Sequence, residues 1–269
     1  MIASMENPTR FQPPSHLPQS LPGIDLRTCT RALPARNGYE IRFTNSTDAL
    51  MAQANQLVER MYRARGLLHY NGKDGSNFAP WMTPRQHSIT VAACKAHSVA
   101  ATLTLSLDTG TGLLADALYR DIIDRTRKKD ARVCEITRLA IDPDHESRDL
   151  MVSMLQSLYV LARLIYRITD VFIEVHPRHA NFYARKLGYR LIGPERTCAR
   201  VGAPAVLMHL CESELEQLLD AHAGVHPAAS LSSISSSLYQ QFDARGDLER
   251  LGEHLRELLF GLPGLRTSV

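Results

Sequence analysis

The stretch from Val133 to Ile165 constrains the fold more than any other part of the chain. Val133 to Ile141 reads as a strand, and Asp142-Pro143-Asp144 must end it, because proline cannot extend a hydrogen-bonded ladder. From Ser147 the apolar positions Met151, Met154, Leu155, Leu158, Ala162 and Ile165 recur at three- and four-residue spacing, which puts them on one helical face. The chain is thus expected to run from a strand through a proline turn into one long helix.

The flanking segments alternate between the two periods. Tyr39 to Phe43 has strand alternation, Asn45 to Asp48 offers N-cap residues, and Ala49 to Arg65 carries helical spacing through Met51, Ala54, Leu57, Val58 and Met61. Ser88 to Cys94 and Val99 to Leu107 are two strand-like runs joined by Lys95-Ala96-His97-Ser98, short enough for an antiparallel hairpin. Leu113 to Lys129 is expected to be helical and Asp170 to Val175 a short β-branched strand. Pro177 opens a helix that Gly188 ends, and Tyr189 to Ile192 and Ala205 to Leu210 complete a sheet. This order predicts an α/β (α+β) fold, a mixed central sheet flanked by helices, with a helical C-terminal extension.

Composition narrows the class. With 269 residues of which 44% are hydrophobic, the chain has enough apolar side chains for a sizeable core. The balance of 31 basic and 28 acidic residues, a net +3, gives no whole-chain case for binding nucleic acid. Five scattered cysteines without CxxC spacing argue against a disulfide framework or a structural zinc, and no metal is expected. The first ten residues lack the basic and apolar regions of a secretory signal, and Leu150 to Ile168 is broken by Arg163 and Arg167, too polar for a lipid-exposed span. A cytoplasmic protein is expected, with peripheral membrane contact left open.

Pro8, Pro13, Pro14, Pro18, Pro22 and Pro34 make residues 1–37 read as a disordered arm, followed by one domain over 38–220. Small residues over 221–237 read as a linker before an amphipathic pattern at Leu248, Leu251, Leu255, Leu258 and Leu259 within 238–269. That last helix is a lid, a homodimer element, or a helix packed on the core.

Two motifs carry a resemblance. Cys134-Glu135-Ile136-Thr137-Arg138 resembles the Glu-x-x-Arg strand shared by acyl-homoserine-lactone synthases and FeeM-like N-acyl amino acid synthases, both related to the GNAT acyltransferases. Val175-His176-Pro177-Arg178-His179, Phe182-Tyr183, Leu187-Gly188-Tyr189 and Ala203-Pro204-Ala205-Val206-Leu207 are similar to the FeeM-like branch in particular. Residues 39–211 are covered. The resemblance implies transfer of a long-chain fatty acyl group to the amine of an amino acid, without a cofactor. One feature departs from ordinary GNAT enzymes, which cradle the coenzyme A pyrophosphate with a glycine-rich loop at a helix N-terminus. Residues 142–149 have no glycine and four carboxylates, Asp142, Asp144, Glu146 and Asp149. An acyl-phosphopantetheine on acyl carrier protein, with its single phosphodiester, is therefore the expected donor.

The resemblance marks Glu135 and Arg138 as functional. Glu135 is the candidate base, against the alternative of a structural ion pair. In a regular strand positions three apart face opposite sides, so Glu135 and Arg138 meet only if a bulge intervenes. Arg138 is expected to hold a substrate carboxylate or the carrier phosphate. Tyr183 is the candidate general acid toward the departing sulfur, or else a core tyrosine. His176, Arg178 and His179 at a strand end, with Arg148, are candidate substrate contacts. The basic run Arg125, Arg127, Lys128, Lys129 and Arg132 suits an acidic carrier protein, or is a solvated helix end. Three rivals remain: an acyl-homoserine-lactone synthase, a coenzyme A-dependent N-acetyltransferase, and a non-catalytic acyl-carrier or lipid-binding module. VHPRH and APAVL speak against the first, the missing glycine loop against the second.

Overall fold

The computed structural model describes residues 33–34, 38–45, 47–67, 85, 87–109, 112–128, 131–222 and 237–260. Most of the proline-rich arm, Lys129 and most of the expected linker lie outside the described residues.

Among the described residues nine strands form the sheet: β1 (Leu33–Pro34), β2 (Glu40–Thr44), β3 (Ser88–Lys95), β4 (Ser98–Leu107), β5 (Val133–Ile141), β6 (Asp170–Val175), β7 (Arg190–Leu191), β8 (Arg196–Cys198) and β9 (Ala203–Cys211). Their spatial order is β1-β2-β3-β4-β5-β6-β9-β7, with β8 against β9. The β5–β6 pair is parallel and the others are antiparallel. The helices are α1 (Ala49–Ala64), α2 (Asp116–Arg127), α3 (Arg148–Tyr159), α4 (Pro177–Leu187), α5 (Glu212–His222) and α6 (Arg245–Phe260).

Local chemistry sets the ends of these elements. The Asp48 carboxylate accepts from the Met51 N–H at 2.8 Å and caps α1. Ala96 and His97 both take positive φ, 48° and 69°, so the β3–β4 hairpin turns through two left-handed residues, in keeping with the twist of its strands. Ser147 caps α3, His176 caps α4 with Pro177 in its first turn, and Gly188 at φ 75° closes α4.

Strand alternation divides the packing. Val133 and Phe172 face one side with Tyr119 and Ile123 of α2, while Cys134, Val171 and Ile173 face the other with Leu150, Met154 and Leu158 of α3. Helix α1 covers Ala92, Cys94 and Ala140 on the α2 side. The long helix predicted from Ser147 through Ile165 is not uniform: α3 ends at Tyr159 and the chain continues as a π-helix over Val160–Ile165. Its wider turn keeps Val160, Leu161, Ala162 and Ile165 buried together, and Arg167 leaves it at φ 54°. Helix α6 packs here, where a Cβ on Gly252 would meet Leu164 at 3.1 Å, so the missing side chain allows the close approach. Leu248 and Leu255 of α6 are buried in the main core.

Candidate active site

The site exists because two parallel strands stop pairing. The β5–β6 ladder has three rungs, ending at Glu135↔Phe172, beyond which the strands diverge. The opening is the centre of a cavity of about 440 Å³, whose wall includes Ile136 to Leu139 of β5 and Ile173 to Val175 of β6. Alternation makes the opening two-sided. Ile136, Ile173 and Val175 belong to the α3 side, continued by Met151, Leu155 and Leu158 as an apolar lobe. Glu135 and Glu174 fall on the α2 side with the residues that pack against Phe172 and Val133.

A bulge in β5 answers the spacing problem of Glu135 and Arg138. The β4–β5 register passes from Thr104↔Thr137 to Thr102↔Ala140, leaving two β5 residues opposite Leu103. Arg138 sits in this bulge at φ 56°, a conformation costing about 1–2 kcal/mol for a non-glycine residue. Arg138 is 4% exposed, lines the cavity, and lies within electrostatic reach of Tyr62 on α1 and of Glu135. Burial pulls its pKa below the usual arginine value, against the raising influence of those two groups.

Glu135 is fully buried. Oε2 accepts from the Leu114 N–H at 2.7 Å and Oε1 from the Ala115 N–H at 3.1 Å, so the chain entering α2 grips both oxygens. Burial and then the nearby Glu174 carboxylate push its pKa up to about 7, against the opposing pull of those N–H groups and of Arg200. Arg200 bonds Glu174 Oε1 at 2.8 Å and also donates to the Leu114 carbonyl at 2.8 Å. One peptide segment, Leu114–Ala115, therefore ties the two carboxylates and the guanidinium into a single cluster.

The α4 end supplies the remaining groups. The Arg178 backbone N–H donates to His176 Nδ1 at 3.2 Å, and the Arg178 Nε–H donates to His179 Nε2 at 3.0 Å. All three residues line the cavity. Burial first, then Arg178, Arg65 and His176, lower the His179 pKa and so favour its neutral ring. Tyr183 also lines the cavity, edge-on to Phe182 and Tyr189, and burial pushes its phenol up to about 12.

Two of the expected residues stand apart from the cavity. Arg148 is exposed in the first turn of α3 and is not part of the cavity wall. Arg127 is not a free docking cation. It bonds Asp108 at 2.5 Å, Asp116 at 2.8 Å and Asp124 at 2.7 Å, which raises its pKa despite burial and makes it an ion-pair hub bracing α2. Arg125, Lys128 and Arg132 are exposed.

Sequence reasoning missed Glu174, Arg200, Thr137 and Tyr62. A signal existed for Glu174, a lone carboxylate in the apolar alternation Val-Phe-Ile-Glu-Val, where burial without a role is costly. Arg200 sits in the turn before β9 and carries no local signal.

The turn before α3 has no glycine and is bonded to itself. The Asp142 carboxylate accepts from the Asp144 N–H, the Asp142 carbonyl from the His145 N–H, and the Ser147 hydroxyl from the Leu150 N–H. Asp142 also pairs with Arg60. Among the described residues no group of three or more metal-ligating side chains is present, and no helix is long and apolar enough to cross a membrane.

A central sheet splayed between the parallel strands β5 and β6, with a bulge in β5 and helices on both faces, is the GNAT fold. The chain belongs to the FeeM family of N-acyl amino acid synthases, whose sequence profile matches residues 53–211. The structure of FeeM, an N-acyl amino acid synthase from uncultured soil microbes, superposes with a TM-score of 0.56 at 21% identity, covering 66% of this chain and 97% of that one. BjaI, a CoA-dependent acyl-homoserine lactone synthase solved with SAM and isopentyl-CoA, superposes with a TM-score of 0.50 at 12% identity, covering 68% and 89%. A putative N-acetyltransferase from Lactobacillus plantarum gives 0.46 at 18% identity, covering 65% and 99%. No curated protein sequence matches the chain.

Proposed function

We propose that this enzyme transfers a fatty acyl group from the thioester of acyl carrier protein to the amine of an amino acid, giving an N-acyl amino acid. The observation that carries this reading is the two-sided splay. Its α3 side is an apolar lobe suited to an acyl chain, its α2 side holds charged groups suited to a small zwitterion, and the two meet where β5 and β6 part.

The donor enters with its chain along Met151, Leu155 and Leu158, where each buried methylene contributes about 0.8 kcal/mol. Its thioester then lies at the splay. Arg178 and Arg65, beside the N-terminus of α4, face the donor's phosphodiester. The self-bonded, carboxylate-rich turn before α3 offers little to a pyrophosphate, which favours a carrier-borne thioester over coenzyme A. Arg138 holds the acceptor carboxylate. Tyr183 donates a hydrogen bond to the sulfur; with its phenol pushed up to about 12 it is a poorer acid than the departing thiol, so the thiolate takes its proton from the amine.

Mass spectrometry of lipids from cells expressing the chain tests this reading, since the product mass names the acyl group and the acceptor together. Purified enzyme is then assayed with matched acyl carrier protein and acyl-CoA donors. An N-acyl amino acid formed from the carrier thioester is the expected result. Equal rates with acyl-CoA would overturn the donor assignment.

A further inference from the structure

We infer that the α2 side of the splay is the amine subsite, where Glu174 Oε2 and Thr137 Oγ1 receive the acceptor's ammonium and Glu174 takes its proton. The inference rests on the acyltransferase reading above and names the group that makes the amine nucleophilic.

The register places these two residues opposite each other. The last rung of the parallel ladder is Glu135↔Phe172, and two residues on along each strand, on the same face, stand Thr137 and Glu174. They are the first pair on the α2 side in the opened part of the sheet, and both line the cavity. Among the described residues, buried Thr137 Oγ1 and Glu174 Oε2 have no N–H or O–H donor, and the weakly donating Cys198 thiol is the remaining group against the Glu174 carboxylate besides Arg200. The Glu174 side chain is 8% exposed, with Oε1 fixed by Arg200 at 2.8 Å. A buried carboxylate with one oxygen anchored and the other without an N–H or O–H donor is unusual, because a lone pair removed from water without a donor is destabilising. An ammonium supplies three N–H donors, enough for both oxygens.

Glu135 is less suited to this part. Both of its oxygens already accept backbone N–H bonds, which leaves it a positioning residue for the chain entering α2 and an electrostatic neighbour of Glu174.

The step balances. The ammonium gives one proton to Glu174 Oε2, and the freed lone pair forms the N–C bond while the carbonyl π pair moves onto oxygen. When the carbonyl re-forms, the C–S bond breaks and the thiolate leaves with a second amine proton. Glu174 returns its proton to solvent. The groups facing Glu174 are Arg200 and Cys198 from the β8–β9 hairpin, Glu135 from β5 and Tyr119 from α2.

The test uses the full chain with Glu174→Gln and Glu174→Asp. Equilibrium binding is measured for each of the twenty amino acids and for the matching 2-hydroxy acids, and acylation rates are followed from pH 6 to 10. Wild type is expected to bind at least one amino acid well above its hydroxy counterpart. In Glu174→Gln that preference disappears and kcat/KM for the amine falls on the order of 100-fold. The residual rate then rises tenfold per pH unit with the neutral amine, the donor thioester binds as before, and Glu174→Asp restores part of the rate. An amine preference and pH profile unchanged in Glu174→Gln overturn the inference. So does a wild type that does not discriminate amine from hydroxyl, a result that holds even if the Gln variant fails to fold. A wild type that binds amines but acylates none instead removes the acyltransfer reading and leaves the subsite standing.

Discussion

Replacing Glu135 by Gln tests the buried cluster directly through the pH dependence of stability. The Glu135 carboxyl ionises near 4.5 when free and near 7 in the fold, where burial, then Glu174, disfavour its charge. The native state therefore binds this proton about 300-fold more tightly than the unfolded chain, which is worth about 3 kcal/mol. The sign follows from proton counting: between these two values the folded protein carries the proton and the unfolded chain does not, so stability falls as pH rises. The contribution is complete below pH 4.5 and lost by about pH 7. Gln cannot titrate. It also sets an amide N–H against one backbone N–H and forfeits a hydrogen bond, at about 1–3 kcal/mol independent of pH. Urea denaturation of both proteins at half-unit steps from pH 4.5 to 8 separates the two effects, since titrating groups not coupled to Glu135 cancel in the difference and Glu174 is the coupled neighbour. The expected difference curve favours the variant by about 3 kcal/mol more at pH 8 than at pH 4.5. A flat difference curve would falsify the assignment of Glu135 as a carboxyl strained by burial.

Two further expectations follow from the packing. Arg127→Ala strands Asp108, Asp116 and Asp124 and is expected to destabilise the protein by about 2 kcal/mol without weakening carrier-protein binding, whereas charge reversal at exposed Arg125, Lys128 and Arg132 is expected to weaken it. Thermal melts and carrier titrations check both; equal losses of binding would restore Arg127 to the docking surface. Leu155→Trp fills part of the apolar lobe and is expected to shorten the preferred acyl chain by about two carbons, with about 15-fold discrimination against the original length. Competition between acyl carrier thioesters of different length measures the shift, and an unchanged preference would place the chain elsewhere.

The strands and helices over 133–211 were legible because their signals are local. Pro143 stops β5, Ser147 starts α3, Pro177 and Gly188 bracket α4, and alternation marks β6. The Glu-x-x-Arg spacing was legible too, along with the statement that only a bulge lets the two residues share a site. The bulge itself was not, since it depends on how β4 and β5 pair. Nor was the fate of Arg127, whose Asp108 partner lies 19 residues away and meets it only when α2 folds back on the hairpin.

Sequence alone thus determined the order of the main elements from β2 to β9, though not β8, the absence of a glycine cradle before α3 and the family to which the chain belongs, all properties of residues near one another. Tertiary structure decided which side chains share the cavity. Glu174 and Thr137 are 37 residues apart on strands that pair for three rungs and then part, and the face each presents follows from a register that no local pattern encodes. Burial, which sets the ionisation of Glu135 and leaves Glu174 Oε2 without an N–H or O–H donor, arises only when the helices close over both faces of the sheet.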